Sequence, residues 1–206
     1  ENSLKKIVDV ANEHNLYIIC DEIYDQIVFD EKFTGIGKVA GDSPVIILNG
    51  FSKVHLMSGW RIGYIAFNNS SQLDNIRENL PKLARVRIST NLPVQYAALE
   101  SLNGPQDYIS KFVSELKTHR DYVVKRLNEM NGISCSNPKG AFYAFPNIQG
   151  SGYSSLDFQE RCLSKAGVAL ISGTSFGHLG EGYVRFSYAN STDNITEAIR
   201  RIKALL

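Results

Sequence analysis

The chain alternates between two apolar patterns. In "ENSLKKIVDVANEHN" the apolar side chains fall at Leu4, Ile7, Val8 and Ala11, the spacing of one helix face. "LYIIC" is instead an unbroken apolar run, and "PVIILNG" and "RIGYIAF" are two more. Runs this short and continuous predict strands buried on both faces. Helix, strand, connection and strand form the rhythm of an α/β domain with a mostly parallel sheet. From Pro105 onward the character changes. "PQDYISKFVSELKTHRDYVVKRLNEMNG" predicts one long amphipathic helix with proline near its start and Gly132 at its end. Then "GAFYAFPNI", "GVALISG" and "GYVRFSYAN" predict short strands, and "STDNITEAIRRIKALL" a closing helix capped by Ser191 or Thr192. The expected division is an α/β part over residues 1–104, followed by the long helix and a small α+β unit over 105–206.

The chain opens directly in a helix that feeds a core strand. A parallel sheet of about three strands is small for its class. The expectation is that these residues are the back part of something longer.

Composition changes this picture little. The 206 residues can bury a sizeable core, 43% are apolar, 21% are charged, and the net charge is +1. That balance argues against a nucleic-acid surface, and no apolar run approaches the roughly 20 residues of a membrane span. Cys20, Cys135 and Cys162 are odd in number and lack metal-ligand spacing, which suits incidental thiols in a reducing compartment. Asn68, Asn69, Asn190 and Asn194 open N-x-[ST] triplets, but the first residues do not read as a secretory leader. The expected location is the cytoplasm, with neither a metal, a nucleic acid nor a membrane as partner.

Candidate chemistry concentrates at the ends of the predicted strands, where ligands bind in parallel α/β sheets. "YIICDEIY" places Asp21 and Tyr24 at one such end, and "IILNGFSK" places Lys53 just past another. An acid there can equally be the N-cap of a following helix. A strand followed by Asp-Glu also suits the magnesium-binding acids of a nucleotide hydrolase, but the G-x-x-x-x-G-K-[ST] loop such an enzyme needs is not present. Lysine in a dry site can form a Schiff base with an aldehyde. Arg61, framed by Gly59 and Gly63, suits a phosphate, since its planar fork grips two oxygens. A lysine-bound aldehyde with a phosphate handle describes pyridoxal 5′-phosphate, whose ring nitrogen calls for a carboxylate such as Asp21. His55, His119 and His178 share no ligand spacing and read as surface or supporting residues. Phe142, Tyr143 and Phe145 read as core of the small unit, and Trp60 as packing beside Arg61.

The stretch Gly50, Phe51, Ser52, Lys53 with Arg61, Ile62 and Gly63 resembles the lysine motif of the class I and II aminotransferases, the fold-type I pyridoxal-phosphate enzymes. Asp21 and Tyr24 match that family's D-x-x-Y segment, and Arg185 in "VRFSYA" its carboxylate-binding arginine. The similarity runs over essentially the whole chain. It implies that residues 1–104 are part of the large, cofactor-binding domain and that 105–206 form the small C-terminal domain. It further implies that Lys53 binds the cofactor and carries the proton, Asp21 pairs with the pyridinium, and Tyr24 bonds the phenolic oxygen. Arg61 with Ser52 would hold the phosphate, and Arg185 the substrate carboxylate. The reaction implied is transfer of an amino group from an amino acid to a 2-oxo acid by a ping-pong mechanism, in a homodimer. A C–S lyase, another enzyme of the fold, or a cofactor-sensing domain of a transcription regulator would share these residues. One departure stands out: some members carry serine or threonine three residues before the lysine, where this chain has Gly50. The family's first half, with its glycine-rich phosphate loop and ring-stacking aromatic, is not in the sequence.

Overall fold

The computed structural model describes the backbone of residues 1–206, with side chains for 1–86 and 88–206. It divides into two compact units, Glu1–Ser110 and Lys111–Leu206.

In the first unit α1 (Asn2–Glu13) turns Val8 and Ala11 inward. It packs beside a sheet of β1 (Ile18–Asp21), β2 (Val45–Gly50) and β3 (Gly63–Phe67), in that order. β1 and β2 are parallel, with Ile18 opposite Val45 and Asp21 opposite Leu48. β3 runs antiparallel to β2 and sets Gly63 opposite Gly50, so the predicted mostly parallel sheet is in fact mixed. The reason lies in the connection. Parallel strands need a long crossover, usually a helix, whereas residues 51–62 form a loop and one 3-10 turn that returns at the same end of the sheet.

The prediction of strands buried on both faces holds only at the start of β2, where Val45 and Ile46 are both buried, and fails for β1 and β3. Ile18, Cys20 and Ile47 join Val8, Ile36, Ala40 and Val45 in a core on one face. Ile19 and Ile65 stand on the other and are 65% and 43% exposed. The run "LYIIC" is apolar throughout, yet among the described residues only one of its faces finds full cover.

α2 (Asp74–Ala84) and α3 (Leu92–Asn103) follow, and the sequence pattern had indicated neither. Pro81 sits inside α2, where proline ordinarily breaks a helix. α3 carries apolar residues around most of its circumference, so it shows no clean stripe.

The long helix α4 (Asp107–Asn128) begins in the first unit and continues through the second. Gly132 then takes φ +77°, a left-handed turn in which a Cβ would strike the backbone of Gly150. β4 (Tyr143–Ala144), α5 (Ser155–Arg161), β5 (Ile171–Ser172) and β6 (Val184–Ser187) follow. β6 is central, with β4 and β5 both antiparallel to it. α6 (Thr192–Lys203) closes the chain, capped by the Ser191 hydroxyl, which accepts from Asn194 N at 3.3 Å. It buries Ile195, Ile199 and Ile202 on one face.

A buried polar network binds α4 to the end of β6. His119, expected as a surface or supporting residue, is buried and bonds the Tyr188 carbonyl at 3.2 Å and Thr192 Oγ1 at 3.1 Å. Its helical phase places it inward, which a lone histidine in a sequence does not announce. Arg120, also buried, donates to Pro138 O at 3.0 Å, and Tyr188 OH donates to Ala141 O at 3.2 Å. Among the described residues no helix is long and apolar enough to cross a membrane.

Candidate active site

The mixed sheet of the first unit brings three element ends to one edge. β1 ends at Asp21, β2 ends at Gly50, and β3, running the other way, begins at Gly63. Asp21, Tyr24, Ser52, Lys53 and Arg61 all lie on or just beyond these ends. Lys53 Nζ sits 5.9 Å from the centre of the Tyr24 ring, so the two strand ends deliver amine and phenol to one place.

Local geometry explains how each is held. Asp21 Oδ1 accepts from Ile23 N at 3.1 Å and shapes the turn over residues 23–26. No helix follows, so Asp21 is not a helix cap. The carboxylate is exposed, and its one recorded bond leaves acceptor capacity for a ligand. The lysine loop is folded back on itself: Met57 N bonds Phe51 O at 3.1 Å, and Leu56 N bonds Lys53 O at 3.3 Å. Phe51, Val54 and Met57 are buried, and Phe51 and Met57 pack with Ala98 of α3. Leu56 and Arg61 both take the left-handed conformation, φ +56° and +55°, which is unusual for side chains of this size and turns the loop sharply at each point. Ser52 and Lys53 are half-buried, while Arg61 is exposed and donates through Nη1 to Ser58 O at 2.8 Å. That bond uses one of five guanidinium donors.

The glycine at position 50 has a steric cause. A Cβ there would lie 2.8 Å from the Gly63 Cα and 2.9 Å from Ile62 O. β2 and β3 meet glycine to glycine, and serine or threonine at 50 would force them apart.

Further residues surround this edge and were not read from the sequence as part of it. Asn49 Nδ2 donates to Asp25 Oδ2 at 3.0 Å, while its Oδ1 accepts from Gly50 N at 2.7 Å. His55 is half-buried rather than superficial, with its Nδ1 2.7 Å from Tyr108 OH and its ring 5.1 Å from that of Phe51. Burial holds its pKa below the ordinary value, against the opposing pull of Asp25. Burial likewise raises the Tyr64 phenol, with Asp25 and Glu22 adding to the effect. Only the short sequence spacing of His55 from Lys53 hinted at this.

Arg185 lies in the second unit, on β6. Its guanidinium carbon is 4.5 Å from the Tyr143 ring centre and 5.0 Å from that of Phe176. Phe145, expected in the core, is 39% exposed, and it stacks on Tyr183 while meeting Phe176 edge-on. Of this segment Tyr143 lies against Arg185, while Phe145 stands outside the core. Among the described residues no carboxylate pairs with this arginine. The stacked faces fix its plane, and the N–H edges stay available for a bidentate carboxylate.

A family model described as aminotransferase class I and II matches residues 1–202. The chain belongs to this aminotransferase family. An aspartate aminotransferase from Pyrococcus horikoshii is 42% identical over 205 residues, which is 98% of this chain and 51% of that protein. A (5-formylfuran-3-yl)methyl phosphate transaminase from Methanocaldococcus jannaschii is 38% identical over 205 residues, 98% of this chain and 53% of that protein. An alanine aminotransferase structure from Pyrococcus furiosus superposes with a TM-score of 0.95 at 37% identity, covering 100% of this chain and 53% of that one. The chain thus spans about half the length of the aminotransferases it matches.

Proposed function

We propose that these residues are the C-terminal part of a pyridoxal-phosphate-dependent aminotransferase that passes an amino group from an amino acid to a 2-oxo acid in two ping-pong half-reactions. The observation that carries the reading is the edge on which Asp21, Tyr24 and Lys53 converge, with Lys53 Nζ beside the Tyr24 ring. Family membership and the names of the matched relatives support it.

The donor set fits the cofactor group by group: an amine for the aldehyde, a carboxylate for the pyridinium, a phenol for the phenolic oxygen, a guanidinium for the phosphate. When bound, pyridoxal phosphate supplies the aldehyde and the electron sink that make a substrate Cα proton acidic. Lys53 Nζ would accept that proton and hold it for return, which its flexible four-carbon stem allows. Asp21 would hold the proton on the pyridine nitrogen, Tyr24 would donate to the phenolic oxygen, and Arg61 with Ser52 would orient the phosphate. Arg185 grips the α-carboxylate shared by all amino acids. On this reading the first unit belongs to the large cofactor-binding domain and the second to the small domain. The full-length enzyme is a cytoplasmic homodimer, and its first half supplies the ring-stacking aromatic and the second phosphate clamp.

The test is a panel of amino acids given to the full-length protein with 2-oxoglutarate. Glutamate should form in step with the donor's 2-oxo acid. Release of ammonia, or of a thiol, without consumption of 2-oxoglutarate would assign the fold to a lyase instead.

A further inference from the structure

We propose that His55 and Tyr108 form a latch that positions Lys53: their hydrogen bond ties the lysine loop to the first turn of α4 and holds the amine beside Tyr24. The inference rests on Lys53 being the reactive amine, and it adds two positioning residues not matched to any family motif.

The loop of residues 51–57 has two kinds of anchor. Phe51, Val54 and Met57 are buried, and they fix the loop's base by packing. Packing alone leaves rotation and sliding, because apolar contact has no preferred direction. Lys53 itself is half-buried. Beyond the loop's own Met57 N–Phe51 O and Leu56 N–Lys53 O bonds, a directional side-chain anchor is His55, two positions on. Its Nδ1 lies 2.7 Å from Tyr108 OH, a short bond for a nitrogen–oxygen pair, and its ring is seated on Phe51 at 5.1 Å and faces Tyr108 at 6.4 Å. Phe51 is in turn braced edge-on by Tyr64 of β3 at 6.2 Å. The residue between Lys53 and His55, Val54, is buried, so the segment has little freedom once both flanks are fixed. Burial disfavours the charged imidazolium, so the bond joins a neutral imidazole to the Tyr108 hydroxyl. A left-handed Leu56 follows immediately, a costly conformation that persists only where the surroundings over-determine it. The latch supplies part of that determination.

The experiment uses the full-length protein and three variants: Tyr108→Phe, His55→Phe and His55→Asn. The first two keep the ring shapes and delete the bond. Asparagine places an amide near the Nδ1 position and can still bond the hydroxyl, as acceptor or as donor. The first readout is reductive methylation of Lys53 in the cofactor-free protein by formaldehyde, followed by peptide mass. Both phenylalanine variants should raise the rate at Lys53 about three- to tenfold, the range of one net hydrogen bond, with the other lysines unchanged. His55→Asn should return it to within about twofold of the parent. The second readout is steady-state turnover, in which kcat should fall by a similar factor while KM for the amino donor holds, and the double phenylalanine variant should be no worse than either single one. Parental labelling of Lys53 in both phenylalanine variants would overturn the latch, and so would His55→Asn behaving like His55→Phe. The labelling needs no turnover. A parent that fails to transaminate while Lys53 labelling still responds would therefore remove the proposed function and leave the latch in place.

Discussion

The Lys53 edge and the Arg185 cradle are built by different means. Lys53 rides on a loop whose course is set by backbone: two left-handed residues, Leu56 and Arg61, and a glycine pair, Gly50 and Gly63, that lets β2 and β3 close. Arg185 sits within a strand and is set by side chains, with ring faces of Tyr143 and Phe176 on its guanidinium. Behind Tyr143, the buried Arg120 and Tyr188 hold the preceding turn through the carbonyls of Pro138 and Ala141. The difference follows the chemistry each cation is suited to. On the proposed reading Lys53 forms and releases a covalent bond and needs reach, which a long side chain on a loop of fixed course supplies. An arginine that recognises a planar anion needs a fixed plane, and stacked rings supply it.

The largest effect that could break this contrast belongs to the loop. In the full-length enzyme Lys53→Ala should lower transamination by about 10⁴-fold or more, because both the covalent attachment and the proton carrier are lost. Turnover within tenfold of the parent would take the reactive role away from this edge. Asp21→Asn keeps an oxygen for Ile23 N and so preserves the turn, while it deletes the charge. Its expected cost is about 10²–10³-fold in kcat, the range for removing one preorganised electrostatic group. A loss confined to stability would reduce Asp21 to a turn former.

Arg185→Lys sharpens the other side. Lysine keeps the charge and loses both the planar fork and the ring stacking, so kcat/KM should fall by about 10- to 150-fold, equivalent to one or two charge-assisted bonds. The drop should be equal for aspartate, alanine and phenylalanine as donors. A selective loss of one donor would make Arg185 a specificity residue and not a general carboxylate anchor.

What could be read in advance divides along the same line. The lysine motif, D-x-x-Y and the arginine strand could be matched to a family from sequence alone, and the structure brings Asp21, Tyr24, Ser52, Lys53 and Arg61 to one sheet edge and sets Arg185 within β6. The apolar runs gave the three strands of the first unit, and the cap and periodicity of α6 gave its place. The antiparallel course of β3 was not legible, since an apolar run carries no direction. Nor were α2, which holds Pro81, and α3, whose Ala98 is its lone buried residue among Leu99, Leu102 and Tyr96 on its exposed surface. His55 and Tyr108 lie 53 positions apart, and nothing local in the sequence joins them.

A smaller effect tests whether backbone closure really sets the lysine edge. Gly50→Ser restores the hydroxyl that some aminotransferases carry at this position, yet its Cβ would meet Gly63 Cα and Ile62 O at under 3 Å. Neither atom can swing aside as a side-chain tip could. The substitution should therefore destabilise the full-length protein by about 1–3 kcal/mol, the usual cost of overpacking, read from the urea midpoint. Unchanged stability together with tighter cofactor binding would mean that β3 shifts freely, and that the edge is less rigid than the glycine contact implies.

The smallest effect concerns pH, and it separates the two regions by titration. Burial holds the His55 pKa below its ordinary 6.5, despite the attraction of Asp25. Above pH 6.5 the imidazole is neutral in both folded and unfolded chains, and its contribution to stability is complete. As pH falls through 6.5 the unfolded chain binds its proton first, so the unfolded state gains and the folded state loses ground down to the folded pKa. The Tyr188 link in the second unit cannot follow this course, because burial pushes its phenol upward, away from the window. Glu1 and Glu197, held near 2 by their lysine and arginine partners, also stay ionised there. Urea midpoints for the parent and His55→Phe should therefore be compared from pH 8 down to pH 5. The gap between the two proteins should be constant above 6.5 and should narrow below it, since the variant has no proton to take up at this position. A constant gap over the whole range would show that the folded chain accommodates a charged His55 as readily as the unfolded one, and that the burial seen around the lysine loop does not exclude a proton from it.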